Sequence, residues 1–476
     1  MSAILFFDDH FLHSRTNLSR HVGQPEYVPE ATLLDPHADI AWGYPSVIRD
    51  EESGKWRCYY QGEVPGKSRT VIPLIAESED GIQWEFPDLS DRLDIKDRHA
   101  PHQLLSNERF HEWCGVRVIP DKSGSGNRYV GMVLSPADQS GERKSYVVES
   151  RDGIEWSYVE NAYWHPTGVD PGQFAYWNTD RQAYSVTLRP SLADRRIALS
   201  ETADWESFTE PELLMQADSL DTPSALLYGM PVFPYEGMYI GFLWVYHTDP
   251  VVYQEEKFLS GTLEMQKGDD TSRILGKIDC QLSYSMNGTH FQRTMRDPFI
   301  PNLPPGQFGS GCIYPSSMVS ENDELRIYSS TSRGEHAQFR FDPDSQQAAI
   351  TMHKLRNDGF VYLEPTGGTG ELTTRWLLWE SGEIRLNVSV PHGEALVQVM
   401  DAFGEPLDGY SYSDAVPITD DSTSSSALWT NGKTMAALAG QIVRIGVRLT
   451  NGRIYAIKGE FESKTVVEAR KIINSN

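Results

Sequence analysis

The chain has 476 residues, with 42 Lys and Arg against 67 Asp and Glu, so its formal net charge is −25 at pH 7. Such an acidic surface repels polyphosphates and anionic lipids, which excludes nucleic acid and anionic membranes as expected partners. The length exceeds the ~250–300 residues that one simple core usually reaches, so we expect two domains or a large repeat architecture.

The N-terminal segment MSAILFFDDHFLH has no basic region, and Asp8 and Asp9 interrupt its apolar run, so it does not fit a secretory signal. No stretch of the sequence approaches the ~18 consecutive apolar residues of a membrane span. The four cysteines are scattered, without metal-binding or redox spacing, which predicts buried thiols and no metal or cofactor. We therefore expect a cytoplasmic location.

Five pairs of strand-like runs follow one another along the chain. Each pair joins two β-branched or aromatic runs through a polar turn, which is a hairpin signal. The pairs are SVIRDEESGKWRCYYQG, VRVIPDKSGSGNRYVGMVLS, FAYWNTDRQAYSVTL, PVFPYEGMYIGFLWVY and SSMVSENDELRIYSST.

A recurrent phrase follows the first four hairpins. AESEDGIQW, from Ala76, returns as VESRDGIEW from Val148, ALSETADWESF from Ala198 and SYSMNGTHF from Ser283. The phrase supplies a third strand and the turn into a fourth, which predicts a β-propeller of five four-stranded blades. The aromatic residues that end the phrases are expected to pack between neighbouring blades: Trp84, Trp156, Trp205 and Phe291.

After RNDGFVYLEP the pattern changes to shorter alternating runs such as EIRLNVSV, ALVQVMDAFG and IVRIGVRL, which are typical of an antiparallel β-sandwich. We therefore predict an all-β protein, a five-bladed β-propeller over residues 1–356 followed by a C-terminal β-sandwich over 357–476. The early strand AILFF is expected to close the ring by joining the last blade.

This layout, with YPSVIRD opening the first blade and VDPGQFAYW the third, resembles the invertase, arabinanase and levansucrase superfamily of glycoside hydrolases. The resemblance implies that acidic residues from the first blades converge on one sugar in a central pocket. Relatives often carry the catalytic Asp directly before a Pro-x-hydrophobic run. Here Tyr44 holds that position in blade one, with Asp39 five residues earlier, whereas Asp170 does precede Pro171 in blade three.

Three acids precede inner strands and are our candidate catalytic residues: Asp39, Asp170 and Asp221. Glycoside hydrolysis needs one carboxylic acid to protonate the leaving oxygen and one carboxylate to attack or to activate water. Glu112 of blade two is a weaker candidate. Other acids belong to the hairpin turns or the repeated phrase, where they are expected to bond the turn backbone: Asp50, Asp80, Asp121, Asp152, Asp180 and Glu236.

Aromatic and basic residues at the same ends of the inner strands are candidates for substrate binding, because sugars offer apolar faces to aromatic rings and hydroxyls to polar groups. These candidates are Trp42, Tyr44, Arg98, His99, Tyr228 and His247. For Trp42 and Tyr228, packing between blades is an equally good interpretation.

The sequence therefore predicts a glycoside hydrolase or transglycosidase with a small oligosaccharide as its partner. Three alternatives stay open: a non-catalytic carbohydrate-binding propeller, a phosphorylase of the same fold, which would need Arg, Lys and His at the pocket, and a sialidase-like enzyme with Tyr44 as the nucleophile. The sequence predicts no oligomeric state.

Overall fold

The computed structural model describes residues 2–40, 44–67, 70–118, 128–136, 138, 143–164, 170–190, 195–248, 276–336, 338 and 348–475. The chain divides into two compact units. One contains residues 25–321 and 325–354, and the other contains residues 1–24, 322–324 and 355–476. Among the described residues, no helix is long and apolar enough to cross a bilayer.

Four strands begin the chain, namely β1 (Ser2–Leu5), β2 (Leu12–Thr16), β3 (Leu18–Val22) and β4 (Glu26–Leu33). Blade 1 follows with β5 (Asp39–Ile40), β6 (Ser46–Arg49), β7 (Trp56–Glu63) and β8 (Val71–Ser78). Blade 2 contains β9 (Glu112–Val118), β10 (Tyr129–Leu134), β11 (Ser145–Ser150) and β12 (Trp156–Trp164).

Blade 3 contains β13 (Asp170–Asn178), β14 (Ala183–Arg189), β15 (Ile197–Thr202) and β16 (Glu212–Met215). Blade 4 contains β17 (Ala225–Gly229), β18 (Val232–Tyr235), β19 (Met238–Thr248) and β20 (Gly276–Ser285). Blade 5 contains β21 (Cys312–Glu321), β22 (Glu324–Ser332) and β23 (Ala348–Arg356), and β4 is its outer strand. The predicted all-β class with a five-bladed propeller is confirmed.

Hydrogen bonds join the innermost strands of neighbouring blades. The backbone N–H of Val116 on β9 donates to Ser46 Oγ on β6 at 2.8 Å, and that of Val47 on β6 donates to Ser317 Oγ on β21 at 2.8 Å. We call the side on which the inner strands begin the strand-start face, and the opposite side the strand-end face.

The ring is closed by β4, which pairs antiparallel with β23 so that Met352 lies opposite Val28. The expectation that AILFF closes the ring is wrong, because Ser2–Leu5 pairs with residues 456–459 of the second unit. The residues 1–24 that the sequence assigned to the propeller thus belong to the second unit.

The repeated phrase forms the turn that the sequence predicts. Ser78 Oγ accepts a hydrogen bond from the N–H of Gly81 at 2.9 Å, and Asp80 Oδ1 accepts from the next two N–H groups, both at 2.8 Å. The same turn recurs around Asp152, Asp204 and Asn287. The structural roles predicted for Asp80 and Asp152 are therefore confirmed.

Each of two such turns is also held by a Tyr of the adjacent blade. Tyr328 on β22 donates to the carbonyl of Gly81 at 2.8 Å, and Tyr59 on β7 donates to that of Gly153 at 3.0 Å. The phrase aromatics pack nearby as predicted, since the ring of Trp84 lies 6.0 Å from that of Tyr328 in an edge-on contact. The turns therefore fasten one blade to the next.

The other predicted structural features have mixed outcomes. Asp50 Oδ1 accepts from the backbone N–H groups of Glu52 and Ser53, which confirms its turn role, whereas Asp121 lies outside the described residues. The four cysteines are buried and unpaired, as predicted. They are Cys58, Cys114, Cys280 and Cys312.

The second unit adds seven strands to β1, β2 and β3. They are β24 (Val361–Pro365), β25 (Thr369–Thr374), β26 (Leu377–Ser389), β27 (Glu394–Met400), β28 (Asp421–Ser426), β29 (Ile442–Thr450) and β30 (Arg453–Ser463). All of their pairings are antiparallel, which confirms a second all-β unit. A 3₁₀ turn at Met435–Leu438 and a C-terminal helix α1 (Val466–Ser475), which the sequence analysis did not predict, complete it.

Candidate functional site

An aromatic cluster occupies the propeller axis near the strand-start face. The ring of Tyr44, just before β6, lies 4.7 Å from Trp244, 5.5 Å from Phe174 and 5.8 Å from Tyr314. Tyr44 is 3% exposed, and Trp244 is fully buried. The contacts come from blades 1, 3, 4 and 5, so these rings form a packed floor beneath any axial pocket.

Two arginines lie against Tyr228 at the edge of this cluster. Their guanidinium carbons are 4.5 Å (Arg189) and 4.7 Å (Arg195) from the centre of the Tyr228 ring. The hydroxyl of Tyr228 is 3.1 Å from His336 Nε2. Blades 3, 4 and 5 thus bring two cations, a phenol and an imidazole together; we call these four residues the basic cluster.

Arg195 is the most unusual member of the basic cluster. Its side chain is 5% exposed, and none of its three guanidinium nitrogens finds a hydrogen-bond acceptor in the part of the chain that the structure describes. Its contacts are with the faces of Tyr228 and Tyr246, the latter at 5.4 Å. Because a guanidinium stays charged, its burial without an acceptor is costly and favours an anion at this place.

Asp170 begins β13 and lies opposite Arg189 in the backbone register of β13 and β14. The Arg189 side chain in turn reaches the carbonyl of Tyr228 at 3.4 Å. The residue that the DPGQF motif singles out is therefore next to the basic cluster along the sheet. Of the three predicted acids, its location agrees best with a pocket on the axis.

The second predicted acid, Asp221, is held by arginines. Arg293 donates two hydrogen bonds to its carboxylate at 2.7 and 2.9 Å, and Arg296 donates a third at 2.9 Å. Burial would raise the pKa of Asp221, but the hydrogen bonds from Arg293 and its neighbours lower the pKa to about 2. A carboxyl group with this pKa is ionised at neutral pH and is poorly suited to donate a proton.

Asp39 is the third predicted acid. It is exposed on β5, a two-residue strand that pairs with the end of β7 at the strand-start face, where Asp39 lies opposite Glu63. Trp42, a predicted sugar-binding residue, lies outside the described residues. The catalytic assignments of Asp39 and Asp170 stay predictions.

The remaining predicted binding residues are mostly engaged by the protein itself. Arg98 donates to the carbonyls of Pro101 at 2.9 Å and Leu93 at 2.6 Å, and therefore fixes its own loop. The backbone N–H of the adjacent His99 donates to the Gln103 side chain at 2.8 Å. This geometry favours a packing role for the DRHAPH segment over recognition of a sugar carboxylate.

His247 has a partner of its own in blade 4. Its Nε2 lies 3.0 Å from Asp279 Oδ2, and this hydrogen bond raises the pKa of His247 against the opposing effect of burial. Its side chain is 36% exposed. Tyr228, by contrast, is 9% exposed and packs within the basic cluster, so aromatic packing explains it better than stacking on a sugar.

The sequence analysis did not identify Arg189, Arg195 or His336. The segment LRPSLADRR offered a signal, because it carries its cations at the strand-start end of blade 3. No group of three or more His, Cys, Asp or Glu side chains suited to a metal occurs among the described residues.

No family model matches the chain, and no curated protein is similar to it in sequence. Solved structures of similar fold include an N-acetylgalactosamine deacetylase from F. plautii, with 13% identity and a TM-score of 0.46 over 72% of this chain and 97% of that one. Another is a β-1,2-mannobiose phosphorylase from Listeria innocua, with 11% identity and a TM-score of 0.44 over 71% and 97%.

A third structure, described as a glycoside hydrolase, has 11% identity and a TM-score of 0.46 over 70% of this chain and 92% of that one. At such identities and TM-scores, these similarities carry no conclusion about reaction or substrate.

Proposed function

We propose that the protein is a carbohydrate-active enzyme, a glycoside hydrolase or transglycosidase, whose substrate binds at the strand-start face of the propeller. The observation that supports this proposal is the location of Asp170 opposite Arg189 and hence beside the basic cluster. An acid next to cations and aromatic rings on a propeller axis provides the groups that glycoside chemistry requires.

The proposed second carboxyl group is Glu112, the first residue of β9, whose side chain is fully buried. The inner strands β9 and β13 are neighbours, since Arg117 Nε on β9 donates to the carbonyl of Ala175 on β13 at 2.9 Å. Both inner strands begin at the same face, so Glu112 and Asp170, the first residues of β9 and β13, lie at the same end of neighbouring strands.

In this proposal Glu112 protonates the leaving oxygen. Asp170 is the base or nucleophile. Glycoside hydrolases commonly use two such carboxyl groups, one as the acid and one as the base or nucleophile.

The test is to screen aryl glycosides and oligosaccharides for turnover and then to compare Asp170→Asn and Glu112→Gln with Asp180→Asn, an exposed turn residue of the same blade. Loss of an essential acid or base lowers the rate by about 10²–10⁴. Wild-type turnover in both folded site variants would contradict the proposal. Glycan binding without turnover would favour the carbohydrate-binding alternative.

Arg195 supports a second candidate, a phosphorylase of the same fold. Its guanidinium is buried and has no acceptor within the described residues, so it is suited to hold inorganic phosphate. A phosphate oxygen would attack the anomeric carbon as the glycosidic bond breaks, and the acid would supply the proton of the departing alcohol. The products would be a sugar 1-phosphate and the shortened saccharide.

Phosphate dependence distinguishes the two candidates. A phosphorylase forms sugar 1-phosphate in proportion to added phosphate, and Arg195→Met would raise the KM for phosphate at least about tenfold. A hydrolase releases free sugar at the same rate without phosphate. The exposed Arg181, which pairs with Glu201 in the same blade, offers the control variant Arg181→Met.

A further inference from the structure

A cavity lies on the axis at the strand-end face, where the inner strands end. Its volume is about 760 Å³, and each of the five blades contributes to its wall. Small-molecule sites commonly measure about 300–1,000 Å³. We call it the strand-end cavity, and it includes none of the residues of the basic cluster or the acids discussed above as catalytic.

The wall of this cavity is mainly apolar. Each blade contributes an apolar side chain, and these include Val47, Val116, Trp177, Phe233 and Val319, in the order of the blades. A sugar would bring many hydroxyl groups that need partners, and a wall of this kind leaves most of them unpaired. The cavity therefore suits a ligand with an apolar body.

The polar groups already in place in the wall leave few free donors. The hydroxyl of Ser317 accepts from the N–H of Val47 at 2.8 Å and donates to the carbonyl of Pro45 at 2.7 Å. Arg49 is 46% exposed and forms an ion pair with Glu321. Neither side chain is available to fix a ligand in the interior.

Arg117 differs from these residues. Its Nε donates to the carbonyl of Ala175 at 2.9 Å and its Nη1 to that of Val116 at 3.0 Å, whereas its buried Nη2 has no partner among the described residues. Within that same part of the chain no carboxylate is ion-paired with it. Burial lowers the pKa of Arg117 to about 10, so the group is still a cation at neutral pH.

Tyr184 provides a second donor in the same wall. Its side chain is 5% exposed, and its buried hydroxyl has no hydrogen-bond partner in the described parts of the chain. Its ring is fixed between Trp205, at 4.5 Å, and Trp177, at 5.1 Å. Arg117 and Tyr184 thus line the same cavity, and the buried Arg117 Nη2 and Tyr184 hydroxyl have no hydrogen-bond partner among the described residues.

We propose that the strand-end cavity binds a small carboxylic acid with an aromatic or aliphatic body. The carboxylate accepts hydrogen bonds from Arg117 Nη2 and the Tyr184 hydroxyl, and the body packs on Trp177 and Phe233. Such a ligand supplies acceptors to Arg117 Nη2 and the Tyr184 hydroxyl together, whereas the Asp50 carboxylate of the same wall already accepts from Ser53 and Tyr129. A free phosphate ion would match the charge but would leave most of the apolar cavity unfilled.

The test titrates the full-length protein with 4-phenylbutyrate, benzoate and octanoate, each against its neutral amide, by calorimetry. We expect the carboxylates to bind at least about tenfold more tightly than the amides. Arg117→Met should weaken carboxylate binding at least about tenfold, while Arg49→Met, which alters an exposed cation of the same cavity, should change it less than about twofold.

Val118→Trp is a second test variant, and it leaves the buried residues of the propeller unchanged. Val118 is 43% exposed and lines the cavity, so an indole there fills space without disturbing a buried position. It should abolish binding of acids and amides alike, with an unchanged melting temperature. This variant keeps the proposal testable if Arg117→Met fails to fold.

Three results would overturn the proposal: no binding of any acid at up to roughly 10 mM, equal affinity of acids and amides, or equal losses in Arg117→Met and Arg49→Met. Loss of binding in Arg195→Met instead would assign the acid to the basic cluster. Because no glycoside is present in these titrations, their outcome is independent of the proposed enzymatic function.

Discussion

Arg293 and Asp221 form a buried, bidentate ion pair in blade 4, with N to O distances of 2.7 and 2.9 Å and side chains that are 3% and 4% exposed. Asp221 lies four residues before β17 and was predicted to be catalytic because it precedes an inner strand. Position along the chain could not show that two arginines from residues 293–296 would reach it. The pair gives Asp221 a structural role, and its catalytic assignment stays a prediction.

We expect Asp221→Asn to lower the free energy of unfolding by about 3–5 kcal/mol, because it leaves the Arg293 cation buried and without a counter-charge. Chemical unfolding followed by circular dichroism measures the loss. Asp218→Asn is the control, since Asp218 is 49% exposed and its carboxylate bonds Arg296 and the backbone N–H of Leu220; it should cost less than about 1 kcal/mol. Equal losses in the two variants would contradict the role given to the pair.

The same carboxylate predicts an acid-dependent loss of stability. Its pKa of about 2 lies below the ordinary value of 3.8, so the unfolded chain takes up its proton first as the pH falls. The stabilisation is complete above about pH 4 and is lost between about pH 4 and pH 2, by roughly 2 kcal/mol. Asp221→Asn should remove this part of the pH dependence. If the variant loses as much stability between pH 4 and pH 2 as the wild type, Asp221 is not the cause of this loss.

His353 predicts a second effect of pH, at the closure of the ring. It lies on β23 opposite Tyr27 of β4, is 2% exposed, and has a pKa that burial lowers from 6.5 to about 4. Below pH 6.5 this histidine is protonated in the unfolded chain but stays neutral in the folded chain. The free energy of unfolding therefore falls by roughly 3 kcal/mol as the pH drops from about 6.5 to 4.

His353→Phe keeps an aromatic ring in this position and should flatten the stability profile between pH 4 and pH 6.5. The matched control is His392→Gln, which changes an exposed histidine. Urea midpoints measured across this range test the prediction. A profile as steep in His353→Phe as in the wild type would show that other groups cause the acid sensitivity.

Local hydrogen bonding explains why the blades were predictable from the sequence. Ser78, Asp80 and Gly81 form the turn of the repeated phrase within four residues, so the local sequence is enough to predict the turn. Ring closure is different, because AILFF and EYVPEATL are both strand-like and nothing local decides which edge each will join. The helix Val466–Ser475 had a local signal that was overlooked, a capping box in which Thr465 and Glu468 bond each other's backbone.

The segment LRPSLADRR pointed to cations in blade 3, but their meeting with Tyr228 and His336 could not be predicted, for the same reason. Arg195, Tyr228 and His336 come from three blades and meet through the ring, with no spacing along the chain to relate them. Asp170 was identified from a motif. Tyr44 was named as a candidate for sugar binding, and Tyr228 as a candidate for either sugar binding or packing between blades, and both rings are buried. Residue type alone does not distinguish an aromatic floor from a binding face.

The glycine of the repeated phrase predicts a graded effect on stability. Gly153 has a φ of 76°, and a Cβ added there would lie 2.4 Å from the hydroxyl oxygen of Tyr59. Gly153→Ala should therefore lower the free energy of unfolding by about 2–4 kcal/mol, through backbone strain and a clash with the neighbouring blade.

Gly54→Ala separates these two causes. Gly54 has a φ of 73°, but nothing lies within 4 Å of an added Cβ, so it should lose about 1 kcal/mol from the backbone alone. Thermal unfolding of the two variants gives the comparison. If both lose the same amount, the contact between Tyr59 and the Gly153 turn does not hold the blades together.

Replacing Arg195 is expected not to lower the stability of the protein. A buried cation without an acceptor among the described residues destabilises the folded state, so Arg195→Met should be at least as stable as the wild type in a buffer that contains chloride but no phosphate or sulfate. Phosphate should then raise the melting temperature of the wild type, because an anion that binds the folded state alone stabilises it by about 2.7 kcal/mol at one hundred times its Kd. Arg195→Met should show no such rise, whereas Arg181→Met, which removes an exposed cation, should behave like the wild type.

Differential scanning fluorimetry at constant ionic strength measures the response of the three proteins to phosphate. Strong destabilisation of Arg195→Met without phosphate, or an equal response to phosphate in all three proteins, would show that the guanidinium is a packing element and would leave the phosphorylase candidate without support.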